Sequence, residues 1–223
     1  MRVSQTEMTV SKVMKSNLLP VSNTGFKYLV SAFLAFIIFS IFEIGFLALI
    51  SLVLVFVFGF IFRNPEREVP SFEKGSLVSP VDGNVTSIED IQDSEYAYKL
   101  EIDSTYLNVG VLRTPLDSTL ESVVTRRGTR LAITSPLCKD INENTELIFV
   151  DENSNSVKIV HRLKRSFDGV TIDVKNTQNV KQASRYGVMI NGTTTIYLPK
   201  NFRLNVTLGS ELEGSQTLIG YFS

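Results

Sequence analysis

Apolar and polar positions follow two regimes in this chain, and the change falls at Phe62. From Phe26 to Phe62 the chain is apolar for 37 residues, broken by Lys27 near the start and by Glu43-Ile44-Gly45 in the middle. One helix crosses roughly 30 Å of hydrocarbon with about 20 residues. The run therefore divides into two blocks, Tyr28 to Phe42 and Phe46 to Phe62, on either side of a carboxylate and a glycine. This pattern predicts a transmembrane helical hairpin over residues 26–62, turning at Glu43 and Gly45. Helix is expected in spite of the β-branched and aromatic residues, because in lipid every backbone N–H and C=O must be paired within the segment. Residues 1–25 read as a polar N-terminal tail in which Val10 to Leu19 is the one stretch suited to an interfacial helix.

Beyond Phe62 the period shortens to two. Alternating or β-branched runs recur at Leu77-Val78, Asn84 to Ile88, Tyr98 to Ile102, Leu107 to Leu112, Leu120 to Thr125, Leu147 to Val150, Val157 to Leu163, Gly169 to Val174, Thr194 to Leu198 and Arg203 to Leu208. Gly, Asn, Asp and Pro separate them. No stretch after Arg63 keeps helical periodicity for three turns, so residues 63–223 are expected to form an all-β, barrel-sandwich-like domain. Gly75 to Val85, with its Pro80-Val81-Asp82-Gly83 turn, and Asn205 to Gly220, with paired glycine turns, look like the turns of lipoyl and biotinyl carrier domains. A carrier would display a lysine at the hairpin tip, and here the tip is Asp82-Gly83.

Charge and composition narrow the picture. A net charge of −1 supplies no basic stripe for a nucleic acid. The single cysteine, Cys138, rules out an internal disulfide and fits a reducing compartment. Arg2, Lys12, Lys15 and Lys27 precede the hairpin, Arg63, Arg67 and Lys74 follow it, and its turn has no cation. An integral membrane protein with both termini and the β domain in the cytoplasm is expected. A cleaved signal peptide fits poorly, because the apolar run starts late, is too long and lacks a small-residue cleavage site before Arg63.

Five separated blocks then fall into one order. Phe62-Arg63-Asn64-Pro65-Glu66-Arg67 follows the hairpin, and Ser79-Pro80-Val81-Asp82-Gly83 forms the tight turn. Leu107-Asn108-Val109-Gly110-Val111-Leu112-Arg113-Thr114-Pro115-Leu116-Asp117 comes next, then Asn142-Glu143-Asn144, and then the segment from Arg185-Tyr186-Gly187 through Gly192-Thr193 to Tyr197-Leu198-Pro199. Together they resemble the short, archaeal-type phosphatidylserine decarboxylases, whose blocks read Phe-Arg-Asp-Pro-Glu-Arg, Ser-Pro-Ala-Asp-Gly, Leu-Asn-Val-His-Val-Asn-Arg-Ala-Pro-Val-Asp, Asn-Glu-Arg, and a Gly-Ser bond between Arg-Phe-Gly and Tyr-Leu-Pro. The resemblance implies phosphatidylethanolamine synthesis at a membrane, with phospholipid as partner. It also implies that aspartate and histidine help the serine hydroxyl attack the preceding carbonyl, and that elimination leaves a pyruvoyl group. That ketone would form a Schiff base with phosphatidylserine and accept the electrons released on loss of CO₂.

Asp82 matches the family's aspartate and Gly192 its glycine. Gly110 stands where the histidine is expected, and Thr193 where the serine is. A general base typically contributes about 10²- to 10⁴-fold, and glycine has none to offer. Threonine can be a nucleophile when activated, but elimination from it would leave a 2-oxobutyryl group. The interval from Thr193 to Pro199 is also one residue shorter than in the family, and a one-residue slip turns a strand side chain to the opposite face. The chain therefore reads as a catalytically degenerate, lipid-binding or regulatory member with no prosthetic group. A pyruvoyl-type group arises only in the alternative, an atypical enzyme cleaved between Gly192 and Thr193. A third reading is a barrel-sandwich adaptor of a membrane transport complex.

The remaining candidates are read more simply. Asp82 in a Pro-x-Asp-Gly turn is expected to bond its local backbone. His161, the only histidine, reads as an ordinary, partly exposed strand residue. Arg113, Arg162, Lys164 and Arg165 are candidates for a lipid headgroup, as is the run Arg126-Arg127-Gly128-Thr129-Arg130. The plainer alternatives are an exposed surface arginine at 113 and solvated, charge-protected strand edges elsewhere. Asp151 to Ser156 reads as a hairpin loop. No His or Cys cluster offers a metal site. A homo-oligomer or a paralogous subunit could supply the missing groups.

Overall fold

A computed structural model describes residues 20–91 and 95–223. The stretch from Val10 to Leu19 and the cations Arg2, Lys12 and Lys15 lie outside the described residues. The chain divides into two units, residues 1–66 and 67–223.

In the first unit, α1 (Asn23–Ile41) and α2 (Gly45–Ile61) form a helical hairpin. Glu43 lies in the link with a left-handed φ of 57°, where the sequence places the turn. Gly45 is the first residue of α2 rather than part of the turn, and α1 starts three residues earlier than the apolar pattern, at Asn23. The open ends are tied together: Val21 bridges Arg63, the Ser22 N–H donates to the Phe62 carbonyl at 2.8 Å, and the Asn64 N–H donates to that of Pro20 at 2.7 Å. Small side chains make the close approach possible. A β-carbon on Gly25 would lie 2.3 Å from that of Phe62, and the buried positions of the two helices are Gly25, Ala32, Ala48 and Ser51. Large apolar side chains such as Phe42, Phe46 and Phe56 point outward. The hydroxyls of Ser31 and Ser51 donate to carbonyls four residues back. Among the described residues only α1, at 19 residues, is long and apolar enough to cross a membrane by length and composition.

The second unit is β-rich. Its elements are β1 (Ser76–Val78), β2 (Gly83–Asp90), β3 (Tyr98–Ser104), β4 (Val111–Arg113), β5 (Ser118–Arg126), α3 (Cys138–Ile141), β6 (Asn144–Val150), β7 (Ser156–Leu163), β8 (Thr171–Ile172), β9 (Gln178–Val180), β10 (Arg185–Val188), β11 (Gly192–Leu198), β12 (Phe202–Leu204), β13 (Glu211–Leu212) and β14 (Leu218–Phe222). An eight-stranded antiparallel sheet runs β13-β2-β3-β11-β7-β6-β5-β9, and two three-stranded sheets run β1-β14-β12 and β4-β10-β8. One face of the large sheet carries Leu100, Ile102, Leu147, Phe149, Ile159 and Ile196 into a single core, each side chain contributing roughly 1.5–3 kcal/mol by leaving water. Between β6 and β7 the Asp151 carboxylate accepts the N–H groups of Asn153 and Asn155, both at 2.8 Å, which makes the expected hairpin loop.

Three strand expectations are corrected, and a strand is added. Residues 107–110 are not strand: Asn108 Oδ1 accepts the Thr105 N–H and hydroxyl and closes a turn, so β4 starts at Val111. The run from Gly169 shrinks to Thr171–Ile172. The run from Arg203 stops at Leu204. Pairing of β4, β8 and β10 in one sheet makes a strand of Arg185–Val188, which the local pattern does not mark.

Leu100 sits fully buried in β3 between β2 and β11. Leu100→Ala is expected to cost about 2–5 kcal/mol of stability, read as an earlier denaturation midpoint of the full chain in detergent.

Candidate functional site

The register of β11 decides what each candidate faces. Thr193 pairs with Asp103 on β3 and Arg162 on β7, while Thr194 pairs with Ile102 and His161. Side chains alternate across a strand. Thr193 therefore belongs to the outer face with Asp103 and Arg162, and Thr194 to the core face.

On the core face lies a buried polar chain that the sequence reading missed. His161 has no exposed surface. Its Nδ1 is 2.9 Å from the Thr194 hydroxyl and its Nε2 is 2.6 Å from that of Tyr186. A neutral imidazole has one donor and one acceptor nitrogen, so one hydroxyl donates to it and the other accepts. Burial pushes the His161 pKa down to about 3 and raises that of Tyr186. The expectation of a partly exposed strand residue is thus overturned. The signal was its phase: Val157, Ile159 and Leu163 share its face of the strand and are all buried.

Asp82 is also held differently from expectation. Its carboxylate does not bond the local turn but takes Arg67 in a fork, Nη1 to Oδ1 and Nη2 to Oδ2, each 2.6 Å. The Gly214 N–H donates to Oδ1 at 2.8 Å, and the Val109 N–H approaches Oδ2 at 3.4 Å. Arg67 Nη1 also donates to the Gly214 carbonyl at 2.9 Å. The pair is nearly dry, with side chains about one-tenth exposed. The last arginine of the Phe-Arg-Asn-Pro-Glu-Arg block thus clamps the aspartate of the Ser-Pro-Val-Asp-Gly turn, 15 residues away. Gly83 is needed beside it, since a β-carbon there would sit 2.4 Å from the Asp103 carbonyl oxygen.

Gly110 leaves no space for a larger residue. A β-carbon would meet Ile190 Cδ1 at 2.5 Å and the Met189 carbonyl oxygen at 2.9 Å, and the Met189 N–H donates to the Gly110 carbonyl at 2.8 Å. Gly192 is equally confined, 2.5 Å from Met189 Sδ and 2.6 Å from the Arg162 carbonyl oxygen by the same measure. Asn191 before it takes a left-handed φ of 58° and is fixed by its side-chain N–H on the Lys164 carbonyl, 2.7 Å. Asp82 and Gly110 thus meet through Val109, and Gly110 meets the β10–β11 turn through Met189. The His161 nitrogens and the Asp82 oxygens are engaged elsewhere, and no hydrogen bond joins either residue to the Thr193 hydroxyl among the described residues.

The cationic candidates separate. Arg113 is buried at 4% exposure, not on the surface, like the other two residues of β4. Lys164 forms an ion pair with Asp103. Arg165 is exposed, and its carbonyl accepts the Tyr106 hydroxyl at 2.6 Å. Arg162 lies in a central strand, not at an edge. Glu143, only 2% exposed, holds Arg127 at 3.1 Å and Arg130 at 3.2 Å. Asn142 ties the same loop by accepting the Leu131 N–H and donating to the Leu131 and Leu163 carbonyls. The Asn142-Glu143-Asn144 block therefore anchors the loop at 127–131. No group of His, Cys, Asp and Glu suited to a metal occurs among the described residues.

Removing Arg67 strands a buried carboxylate. Arg67→Ala is expected to cost about 3–5 kcal/mol, by denaturant midpoint, with Arg67→Lys recovering only part because it cannot fork. His161 carries a pH signature as well. Unfolded, it takes up a proton near pH 6.5, whereas the folded chain resists until about pH 3. Its contribution is complete above pH 6.5 and declines as pH falls, by up to about 1.4 kcal/mol per pH unit. Melting of wild type and His161→Gln between pH 7 and 5 should diverge, with the variant showing the flatter dependence.

With this geometry in place, comparison with known proteins gives one consistent result. The family model described as phosphatidylserine decarboxylase matches residues 54–220. The chain is similar to the phosphatidylserine decarboxylase proenzyme of Anaplasma phagocytophilum (strain HZ), at 31% identity over 87% of this chain and 88% of that protein. It is similar to the proenzymes of Neorickettsia sennetsu, at 28% identity over 74% and 76%, and of Burkholderia ambifaria (strain MC40-6), at 26% identity over 85% and 90%.

Proposed function

The chain belongs to the phosphatidylserine decarboxylase family, and we propose that it is a membrane-anchored member which holds the family fold at a lipid surface without turning Gly192-Thr193 into a carbonyl prosthetic group. The observation that carries this reading is the outward face of Thr193. Its hydroxyl lies in the row of Asp103 and Arg162, while the chain's only imidazole is on the opposite face of the sheet, bonded to Thr194 and Tyr186. Two further features support it: Arg67 occupies Asp82, and Ile190 and Met189 fill the space at Gly110. The residues present do not fit the formation of a pyruvoyl group.

Anchoring is the second half of the proposal. The α1–α2 hairpin keeps small residues inside and large apolar ones outside, the arrangement expected when hydrocarbon rather than water surrounds it. The cations on both flanks support a cytoplasmic position for the two termini and the β domain. Arg165 and Arg162 are the candidates for contact with phospholipid headgroups.

A second reading is favoured by the relatives, whose name is proenzyme. In it, cleavage between Gly192 and Thr193 yields an active decarboxylase with a 2-oxobutyryl end. Turnover separates the two. The full chain, reconstituted in vesicles of phosphatidylserine and phosphatidylcholine, is expected to leave the phosphatidylserine unconverted over hours. Release of CO₂ with appearance of phosphatidylethanolamine, abolished by Thr193→Ala, would overturn the proposal in favour of the second reading.

A further inference from the structure

The outer face of the eight-stranded sheet holds a groove of about 640 Å³ whose lining includes Arg126, Arg127, Lys139, Lys158 and Arg162 against two carboxylates, Asp140 and Glu146. Three of the cations are already engaged: Lys158 with Glu146 at 3.0 Å, Arg127 with the buried Glu143 at 3.1 Å, and Lys139 loosely with Glu101 at 3.9 Å. Arg126 and Arg162 have no carboxylate within ion-pair distance among the described residues. Both stand in one cross-strand row, Arg126 opposite Asn144 and Asn144 opposite Arg162. Successive partners in an antiparallel sheet are about 4.5–5.5 Å apart, which sets the two arginines roughly 10 Å apart across Asn144 and lets both guanidiniums converge on one anion.

Arg162 carries a second sign. Its Nε is buried with no acceptor among the described residues, which is costly for a charged donor. Guanidinium groups present parallel N–H donors that match phosphate and carboxylate oxygens. Two uncommitted positive charges complement a dianion better than a monoanion. We propose that this groove is a binding site for a phosphate monoester, held between Arg126 and Arg162. The same headgroup chemistry is available from phosphatidic acid in a membrane or from a soluble ester such as glycerol 3-phosphate. The site stands on its own side chains and does not depend on whether Gly192-Thr193 is cleaved.

The test uses the full chain reconstituted in phosphatidylcholine vesicles. Phenylglyoxal modification of Arg126 and Arg162 is followed by peptide mass spectrometry, alone, with glycerol 3-phosphate, and with phosphatidic acid in the vesicles. Slowing of both arginines by at least about fivefold in either arm, with the exposed Arg203 unchanged, is the expected result, and the arm identifies the source. Protection in neither arm, or equal slowing at Arg203, would overturn the site and leave the family reading untouched. Titration with the protecting ligand adds a second measure: Arg126→Gln with Arg162→Gln should weaken binding at least about tenfold, whereas Lys181→Gln with Lys200→Gln, at exposed positions away from the groove, should not. The protection experiment needs no variant, so it decides the question even where the double variant fails to fold.

Discussion

The antiparallel register of β11 between β3 and β7 is the constraint on which the rest of this molecule depends. It is set by a continuous ladder on both sides, from Gly192 opposite Ser104 and Leu163 to Tyr197 opposite Lys99 and Lys158. Because the side-chain period is two, that ladder sends Thr194 and Ile196 into the core and Thr193 outward. A shift of one residue would bury Thr193 and expose Ile196, so the hydrophobic core itself holds the register. The same choice brings Thr194 to the His161 imidazole and builds the outer row in which Asp103, Thr193, Arg162, Asn144 and Arg126 are successive neighbours.

Around that strand, the positions matching the family's chemistry are fixed by packing and ion pairing. The Arg67 fork and the Gly214 N–H leave the Asp82 carboxylate strongly committed. A forked, nearly dry pair of this kind is rigid, because removing either partner strands the other. Gly110 serves as a close-approach position, with the Met189 backbone and Ile190 side chain lying where a larger residue would project. The core-facing imidazole is neutral and hydrogen-bonded at both nitrogens, so it satisfies two buried hydroxyls and helps specify the core.

How much of this was legible in the sequence differs by element, and the difference is one of range. The α1–α2 hairpin and the Asp151 loop are local: one comes from apolar blocks on either side of Glu43, the other from an aspartate that accepts nearby N–H groups. Strand β10 was invisible because it gains its pairing from β4 and β8, far away in the chain. The run at 107–110 looked like a strand until the Asn108 side chain claimed the Thr105 N–H. At the site, order and spacing of the blocks marked Asp82, Gly110, Gly192 and Thr193, and the shortened interval to Pro199 pointed to the question of facing. The partner of Asp82 could not be read, since nothing local to a Pro-x-Asp-Gly turn points to an arginine 15 residues earlier. His161 was misread because its polar character outweighed its phase with Val157, Ile159 and Leu163.

Family membership and chemical state are separate matters in this protein: the match to the family carries the first, and the facing of one threonine carries the proposal about the second. Intact-mass spectrometry of the purified full chain tests that second claim most directly. The account predicts a single species at the full 24.9 kDa. A pair of fragments, one ending at Gly192 and one beginning at residue 193 with a blocked end, would contradict it.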